Sequence, residues 1–219
     1  NLIAKFAKEK KVPQLIHVSS LGIDDAKDSN YAKSKIEGEK NVFNNFENAV
    51  ILKPSIVYSV DDNFTTNFMS LLSNLPFMPL YYSGLTKFAP IHVSDLANII
   101  LSVVEKNIKK MKIECVGPEI FTFKEIMEKL LYAINKKRFL IPIPLSFAKI
   151  SAKILEKFPK PLLTTDQLNL LKYHNIPSGL NKTNHDLNLK TERKFDIEIE
   201  KYSYNWRVGG QYSKIKKAN

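Results

Sequence analysis

The chain has 219 residues, of which 44% are hydrophobic, so it carries enough apolar material for a packed core and too much for a disordered chain. Its net charge of +11 comes almost entirely from scattered lysines, with arginine only at positions 138, 193 and 207, which argues against the localised patch typical of nucleic-acid binding. The single cysteine excludes an internal disulfide and favours a reducing compartment. The sequence contains no run of about 20 apolar residues, so no transmembrane helix is predicted.

The first part of the chain alternates between helical and strand patterns. Residues 2–10 lie within an amphipathic helix that has no N-cap, so we expect the chain to be truncated or processed at its N-terminus. Residues 14–19 and 49–52 are short apolar runs typical of buried strands, and residues 30–46 between them have helical spacing. This alternation predicts parallel strands joined by crossover helices, an α/β fold.

The rest of the chain continues the mixed pattern without an internal repeat. Thr122 and Glu125 form a capping box that begins a helix. Residues 80–90 and 175–194 are interpreted as irregular, and the tail from residue 195 is weakly patterned. Further helices are predicted at residues 64–75, 94–106, 122–135, 145–158 and 165–174, and extended segments at residues 91–93, 112–116 and 139–143.

Tyr31 and Lys35 are spaced so that both side chains lie on one face of the predicted helix. A lysine ammonium beside a phenol stabilises the phenolate, so the tyrosine can exchange a proton with a substrate hydroxyl or carbonyl. The same spacing occurs at Tyr132 and Tyr212, but only Tyr31 follows a strand that ends in paired serines and begins a helix that leads to another strand. A solvated helix face is the alternative interpretation of this pair.

Residues 15–20, 31–35 and 52–58, in that order, resemble the extended short-chain dehydrogenase/reductases. The resemblance implies that Ser20 holds the substrate oxygen and that the tyrosine and lysine of the second segment form the acid/base pair. A serine that only bonds to the strand end is the alternative for Ser20. The resemblance also implies a nicotinamide cofactor, NAD or NADP in the full-length protein, held by Ser19, Tyr31, Lys35, Pro54, Ser55, Ile56 and Val57.

Later segments favour one branch of this family. Residues 90–97 resemble the family's return into the cofactor domain, and residues 116–119 resemble the opening of its substrate lobe. Residues 51–55, 139–144 and 161–166 resemble the accessory subunit of respiratory complex I that has this fold, together with its bacterial relatives. The order of these segments covers essentially the whole chain.

Two departures limit what the resemblance implies. Ser20 and Tyr31 are eleven residues apart, closer than is usual in the sugar-nucleotide epimerases, and residues 21–23 replace the usual tyrosine-glycine pair, which argues against sugar-nucleotide chemistry. None of the seven glycines forms a G-x-x-G-x-x-G or G-x-G-x-x-G turn, which would cradle a pyrophosphate at a helix N-terminus. We therefore expect the first strands of the cofactor domain to lie outside this chain.

The predicted architecture is a partial doubly wound, Rossmann-like parallel sheet that lacks its N-terminal strands, with a smaller C-terminal substrate lobe. Residues 1–60 and 87–108 are assigned to the cofactor domain, and residues 61–86 and 109–219 to the lobe. Two functions from different classes fit this arrangement. One is an NAD(P)-dependent oxidoreductase or epimerase with a Ser-Tyr-Lys site. The other is a non-catalytic, NAD(P)-binding accessory subunit or assembly factor of respiratory complex I or of quinone biosynthesis.

The expected partners are a small-molecule substrate for the first function and a respiratory or quinone-related complex for the second, with no nucleic acid. We expect a cytoplasmic location, with peripheral contact on the inner membrane as the further option. Residues 139–163 carry apolar and lysine side chains that suit a membrane surface, although a lobe helix packed on its own core is the alternative. His17 and Cys115 are interpreted as core residues, Lys53 is given no chemistry, and no Cys/His cluster predicts a metal.

Overall fold

The computed structural model describes residues 2–157 and 164–213, in which helices and strands alternate for much of the length. The helices are α1 (Leu2–Glu9), α2 (Asn30–Asn45), α3 (Thr65–Asn74), α4 (Val93–Glu105), α5 (Phe123–Ala133), α6 (Leu145–Leu155), α7 (Thr165–Leu170) and α8 (Phe195–Ser203). The strands are β1 (Ile16–Val18), β2 (Val50–Pro54), β3 (Val57–Tyr58), β4 (Phe77–Leu80), β5 (Lys87–Phe88), β6 (Ile91–His92), β7 (Met111–Cys115), β8 (Phe121–Thr122), β9 (Phe139–Pro142) and β10 (Lys182–Thr183). The predicted end of α6 at Phe158 and the segment 161–163 lie outside the described residues.

The main sheet has four parallel strands in the order β1-β2-β7-β10. Strand β2 lies in the interior of the sheet and every one of its residues is buried, which explains why residues 50–52 are a run of apolar residues rather than an alternating pattern. Val50, Leu52 and Ile113 pack against α4 through Ile99 and Val103. The predicted α/β class with a parallel sheet is confirmed.

A second core lies beside this sheet and is built mainly from α3, α5 and α8. Met69 and Leu72 of α3 pack with Ile126 and Leu130 of α5, all of them at most 1% exposed. Tyr58 at the end of β3 completes the cluster from the sheet side. Strand pairs β4-β9 and β5-β8 border this second core.

Residues 193–206, which include α8, connect the second core to earlier parts of the chain. The Arg193 guanidinium lies 2.5 Å from the Asp95 carboxylate at the start of α4. The Tyr202 hydroxyl lies 2.8 Å from the Thr65 hydroxyl, and the Trp206 indole N–H donates to the Ser70 hydroxyl across 2.8 Å. These contacts join positions that are 98 to 137 residues apart in sequence.

The structure departs from the sequence expectations in four places. Residues 80–90, expected to be irregular, contribute the end of β4, all of β5 and the short turn between them. Residues 175–194, also expected to be irregular, contain β10. The weakly patterned tail forms α8, whose Phe195, Ile199 and Tyr202 are buried at helical spacing. Residues 109–219 were assigned to the smaller lobe, but β7 and β10 are strands of the main sheet, because a strand pattern indicates burial and does not identify the pairing partner. The rest of the two-lobe division stays a prediction.

Candidate active site

Helix α2 begins where a carboxylate from α7 caps it. Ser29 is the N-cap, and its hydroxyl accepts a hydrogen bond from the Ala32 amide at 3.2 Å. Asp166 then accepts from the amides of Asn30 at 2.7 Å and Tyr31 at 3.1 Å. A negative charge at this end of the helix satisfies free N–H groups and complements the helix dipole. The first turn of α2, with Tyr31 in it, is therefore held in place by a residue 135 positions away.

Tyr31, Lys35 and Glu39 follow one another at four-residue spacing along one face of α2. The Lys35 ammonium lies 5.7 Å from the centre of the Tyr31 ring and donates to the Val18 carbonyl at 3.4 Å. Within residues 2–157 and 164–213, no carboxylate lies within ion-pair distance of Lys35. The predicted pairing of the two side chains on one helix face is therefore present, at the carboxyl end of β1.

Glu39 anchors this helix face to three strands of the sheet. Its carboxylate is 1% exposed and lies 2.5 Å from the Lys112 ammonium, 2.6 Å from the Ser19 hydroxyl and 3.6 Å from the Lys53 ammonium. Lys53 is fully buried and also pairs with Asp24. Sequence reasoning gave no role to Glu39 or Lys53. The tyrosine, lysine and glutamate spacing of α2 was the available signal, because it places all three on one stripe.

The segment after β1 turns sharply across the end of β2. The Leu21 amide donates to the Pro54 carbonyl at 2.9 Å, which extends the parallel pairing by one step. Gly22 has a φ of +74°, and a Cβ there would lie 2.7 Å from the His174 carbonyl, so a side chain would be strained and crowded. Among the described residues, the Ser20 hydroxyl makes only a long 3.4 Å contact with the neighbouring Leu21 carbonyl, which leaves it available to a ligand.

Most of the other predicted cofactor residues face inward. The buried Ser55 hydroxyl lies 2.5 Å from Asn175 Oδ1 and accepts from the Ala89 amide at 3.1 Å. Val57 packs against the core beneath α4, and Pro54 is a buried residue of β2. Ser19 is likewise engaged with Glu39, as described above. These side chains position the strand ends rather than face open space.

Ser20, Tyr31 and Ile56 line one large cavity at the strand ends, with a volume of about 910 Å³. The opposite wall comes from α3, including Phe64 and Phe68, and the segment 167–175 closes a third side. The structure thus brings together two of the three predicted catalytic side chains around one space, with Lys35 adjacent to Tyr31. The catalytic and cofactor roles of these residues stay predictions.

The other reactive groups are buried away from this cavity. Burial raises the pKa of the Cys115 thiol to about 12. Burial also lowers the pKa of His17, and the positive charge of Lys35 acts in the same direction; the Nε2 of His17 is buried without a hydrogen-bond partner among the described residues. Burial lowers the pKa of His92 as well, and its Nδ1 accepts from the Ser94 amide at 3.2 Å.

The sequence pattern of the RmlD substrate binding domain matches residues 2–121, more than half of the chain. The chain belongs to the RmlD substrate-binding domain family. Together with its curated relatives, this match identifies it as an extended short-chain dehydrogenase/reductase related to the complex I accessory branch.

Two curated relatives of this RmlD-family chain are named as subunits of respiratory complex I. This chain is 33% identical over 170 residues to the mitochondrial NADH dehydrogenase [ubiquinone] 1 alpha subcomplex subunit 9 of Dictyostelium discoideum. The alignment covers 76% of this chain and 47% of the relative. This chain is 27% identical to the Arabidopsis thaliana protein of the same name, covering 95% of this chain and 54% of the relative. The chain spans about half the length of these relatives.

A solved relative shows the same fold. The UDP-glucuronic acid 4-epimerase of Bacillus cereus, in complex with UDP-glucuronic acid and NAD, aligns with a TM-score of 0.61 and 18% identity, covering 93% of this chain and 65% of the epimerase. At this level of identity the likeness concerns the fold.

The residues of this RmlD-family chain suit one half, the nicotinamide half, of the NAD(P) cofactor that its fold implies. Dinucleotides bind beyond the carboxyl ends of parallel strands, which is where Ser20, Tyr31 and Lys35 lie. The Lys35 ammonium, unpaired with any described carboxylate, suits polar groups of a cofactor. No glycine-rich turn for a pyrophosphate occurs among the seven glycines of the sequence. The residues present therefore suit the nicotinamide end, and this sequence does not contain the usual pyrophosphate cradle.

Proposed function

We propose that this chain provides the catalytic end of an NAD(P)-dependent oxidoreductase or epimerase that acts on a carbonyl or hydroxyl group. The observation that carries the proposal is the grouping of Ser20 and Tyr31 around one cavity, with the Lys35 ammonium 5.7 Å from the Tyr31 ring. The Bacillus cereus epimerase, which shares this fold, is in complex with NAD, and this supports NAD over NADP as the cofactor.

Each of the three side chains has a separate task in this proposal. A bound nicotinamide would supply or accept the hydride. In the reducing direction, Tyr31 gives its hydroxyl proton to the substrate carbonyl oxygen, and Lys35 stabilises the resulting phenolate. Ser20 donates a hydrogen bond to the same oxygen and so orients the carbonyl. Asp166 and Glu39 hold α2 at its first turn and its third, which fixes the position of Tyr31 relative to the strand ends.

The test compares two tyrosines with the same local pattern. Tyr31→Phe, in the protein expressed from its complete gene, should lower turnover by about 10²–10⁴-fold, because the proton donor is lost while the ring stays. Tyr132→Phe is the matched control, since Tyr132 is 46% exposed against 42% for Tyr31 and also has a lysine four residues later. The readout is NADH oxidation with a panel of ketones and aldehydes, beside thermal melting of each variant. Equal turnover in both variants would refute the catalytic assignment.

The second candidate function is that of a non-catalytic accessory subunit of a respiratory complex, and the names of the two mitochondrial relatives favour it. In this function no proton transfer is needed, so Tyr31→Phe should support assembly as well as the parent does. The measurement is complementation of complex I assembly in a strain that lacks the gene. Loss of assembly in a correctly folded Tyr31→Phe protein would contradict a purely structural role.

Helix α6 supports peripheral contact with a membrane in that setting. Phe147, Ile150 and Ile154 are 56% to 67% exposed on one face of the helix, and Lys149 and Lys153 lie beside them, while the opposite face packs through small buried residues. An apolar stripe flanked by lysines suits an anionic lipid surface. No described helix combines the length and the apolar character needed to cross a bilayer. We therefore propose attachment at the surface of a respiratory membrane in place of the expected cytoplasmic location.

Vesicle flotation tests this attachment. The parent chain should float with vesicles that contain anionic phospholipid, and Phe147→Ser should reduce the floated fraction because it removes an exposed ring. Ile197→Ser is the matched control, since Ile197 is 56% exposed on α8. Flotation that is equal in the two variants, or that is absent for the parent, would argue against α6 as the contact.

A further inference from the structure

The walls of the cavity at Ser20 and Tyr31 are uncharged. Of the described residues that line it, none is a lysine, arginine, aspartate or glutamate. The one histidine, His174, uses its Nδ1 to accept from the Lys87 amide at 3.1 Å. A ligand that carried a diphosphate would therefore meet no cationic side chain among the described residues that line this space, although cationic donors are the usual means of binding phosphate.

Helix N-termini are the other common anion sites, and at two that border the cavity, those of α2 and α3, carboxylates already cap the free amides. At α3, Asp62 accepts hydrogen bonds from the amides of Phe64 and Thr65. At α2, Asp166 accepts from the amides of Asn30 and Tyr31. Each carboxylate occupies the N–H groups that an anion would use and adds a negative charge there. Both ends therefore repel a phosphate.

The apolar wall has a definite shape. Phe64, Phe68, Phe88 and Phe123 form a cluster of rings with centroids 4.9 to 6.4 Å apart. From this cluster the wall continues along α3 toward Leu75, over a length of about 16 Å at the rise of an α-helix. The wall is thus elongated and apolar, with the Ser20 and Tyr31 hydroxyls as polar groups at the strand ends.

Polar side chains on α3 do not change this character. The Asn67 amide donates to the Asn63 carbonyl at 2.6 Å, and the Asn74 amide donates to the Ser70 carbonyl at 2.9 Å. One N–H of each side chain is thus bonded to a nearby backbone carbonyl, and both carboxamides are uncharged, so they add no cation that would bind a phosphate.

We infer that the substrate of this site is an uncharged long-chain carbonyl compound or alcohol, and that nucleotide sugars are not accepted. The oxygen lies at Ser20 and Tyr31, and the hydrocarbon chain lies along the Phe64-to-Leu75 wall. This inference rests on the proposed function for the role of the substrate oxygen, but binding of the hydrocarbon chain of the ligand does not depend on catalysis.

The first experiment is isothermal titration of the 219-residue chain with straight-chain methyl ketones from hexanone to undecanone. Each added methylene should tighten binding about fourfold, since burial of one CH₂ contributes about 0.8 kcal/mol. UDP-glucose and dTDP serve as the nucleotide arm and should give no saturable heat. An affinity that does not depend on chain length, or a nucleotide that binds more tightly than undecanone, would overturn the inference.

A pair of variants tests where the hydrocarbon chain of the ligand binds. Leu75→Ser should weaken undecanone binding about tenfold and leave hexanone nearly unchanged, because only the longer chain reaches that end of the wall. Leu75 is 40% exposed, so its replacement is tolerated, and Leu101→Ser on α4, 55% exposed and outside the cavity lining, is the control. If Leu101→Ser weakens undecanone binding as much as Leu75→Ser does, the hydrocarbon chain of the ligand does not lie on this wall.

Turnover separates this inference from the proposed function. If ketone affinity rises with the length of the ketone but the complete protein reduces no ketone with NADH, the enzymatic role is contradicted and the proposed ligand class is supported. If the protein turns over nucleotide sugars with NADH and turns over no ketone, the proposed ligand class is contradicted and the enzymatic role is supported.

Discussion

Glu39→Gln is the most informative single change in this protein, because Glu39 holds α2 on the sheet. The substitution keeps the shape of the side chain but removes the charge that faces the ammonium groups of Lys112 at 2.5 Å and Lys53 at 3.6 Å. It also replaces one of the two carboxylate oxygens, so either the Ser19 hydroxyl or a lysine loses its acceptor.

The size of the effect follows from what each partner can do afterwards. Removing one member of a buried ion pair costs about 3–5 kcal/mol when the other charge stays buried and uncompensated. Lys53 is fully buried but keeps Asp24, and Lys112 is 32% exposed and can reach water. We therefore expect the lower end, about 3 kcal/mol, which corresponds to a fall in Tm of roughly 6–12 °C for a chain of this size.

Urea unfolding followed by circular dichroism measures this change, with an unchanged denaturant slope as the check that only stability has moved. Glu47→Gln is the control, because Glu47 is 75% exposed in its pair with Lys110 and its loss should change stability far less than Glu39→Gln does. A double-mutant cycle with Lys53→Met should show coupling of at least about 1 kcal/mol. If Glu39→Gln costs no more than Glu47→Gln, or if the cycle is additive, the anchoring role of Glu39 is wrong.

Three further predictions concern buried positions. His17 has a lowered pKa in the folded protein, so the unfolded chain binds more protons as the pH falls through the ordinary value of 6.5. Stability should therefore be fully present above that pH and decline below it, and His17→Leu should flatten the Tm profile; a parent profile that is already flat would contradict this. The Cys115 thiol, fully buried with a pKa of about 12, should resist iodoacetamide at pH 8 until urea unfolds the chain, and mass spectrometry would reveal early alkylation. Gly117→Ala should destabilise the fold by about 1–3 kcal/mol or more, since its Cβ would lie 1.9 Å from a backbone carbonyl oxygen. By contrast, Gly38→Ala, with its nearest atom at 3.7 Å within a helix, should stabilise it by about 0.5–1 kcal/mol; equal melting shifts in these two variants would be the contrary result.

The sequence was most informative where local chemistry decides the structure. The capping box at Thr122 and Glu125 is present at the start of α5, and the helical spacing of residues 30–46 corresponds to α2 at Asn30–Asn45. In these elements the hydrogen bonds and the apolar spacing lie within a few residues of one another, so a local pattern can reveal them.

Elements that depend on distant partners were harder to predict. Strand β10 is two residues long and exists because it pairs with β7 almost 70 positions earlier. Helix α8 has the spacing of Phe195, Ile199 and Tyr202, but acidic and lysine residues between them weaken the pattern. The same limit applies to the candidate site. Tyr31 and Lys35 could be found from their spacing, whereas Asp166, which caps their helix, is recognisable only once α7 is in place.

The contacts made by the end of the chain have a consequence for biosynthesis. Tyr202, Trp206 and Arg193 reach back to Thr65, Ser70 and Asp95 across 98 to 137 positions. These residues emerge from the ribosome well after α3 and α5, so the apolar surfaces of those two helices stay uncovered while the intervening residues are added, which takes seconds at ordinary elongation rates. Final packing of this core should therefore wait until α8 and Trp206 have emerged, and chaperones that shield apolar surface should matter most for the yield of this protein during that interval.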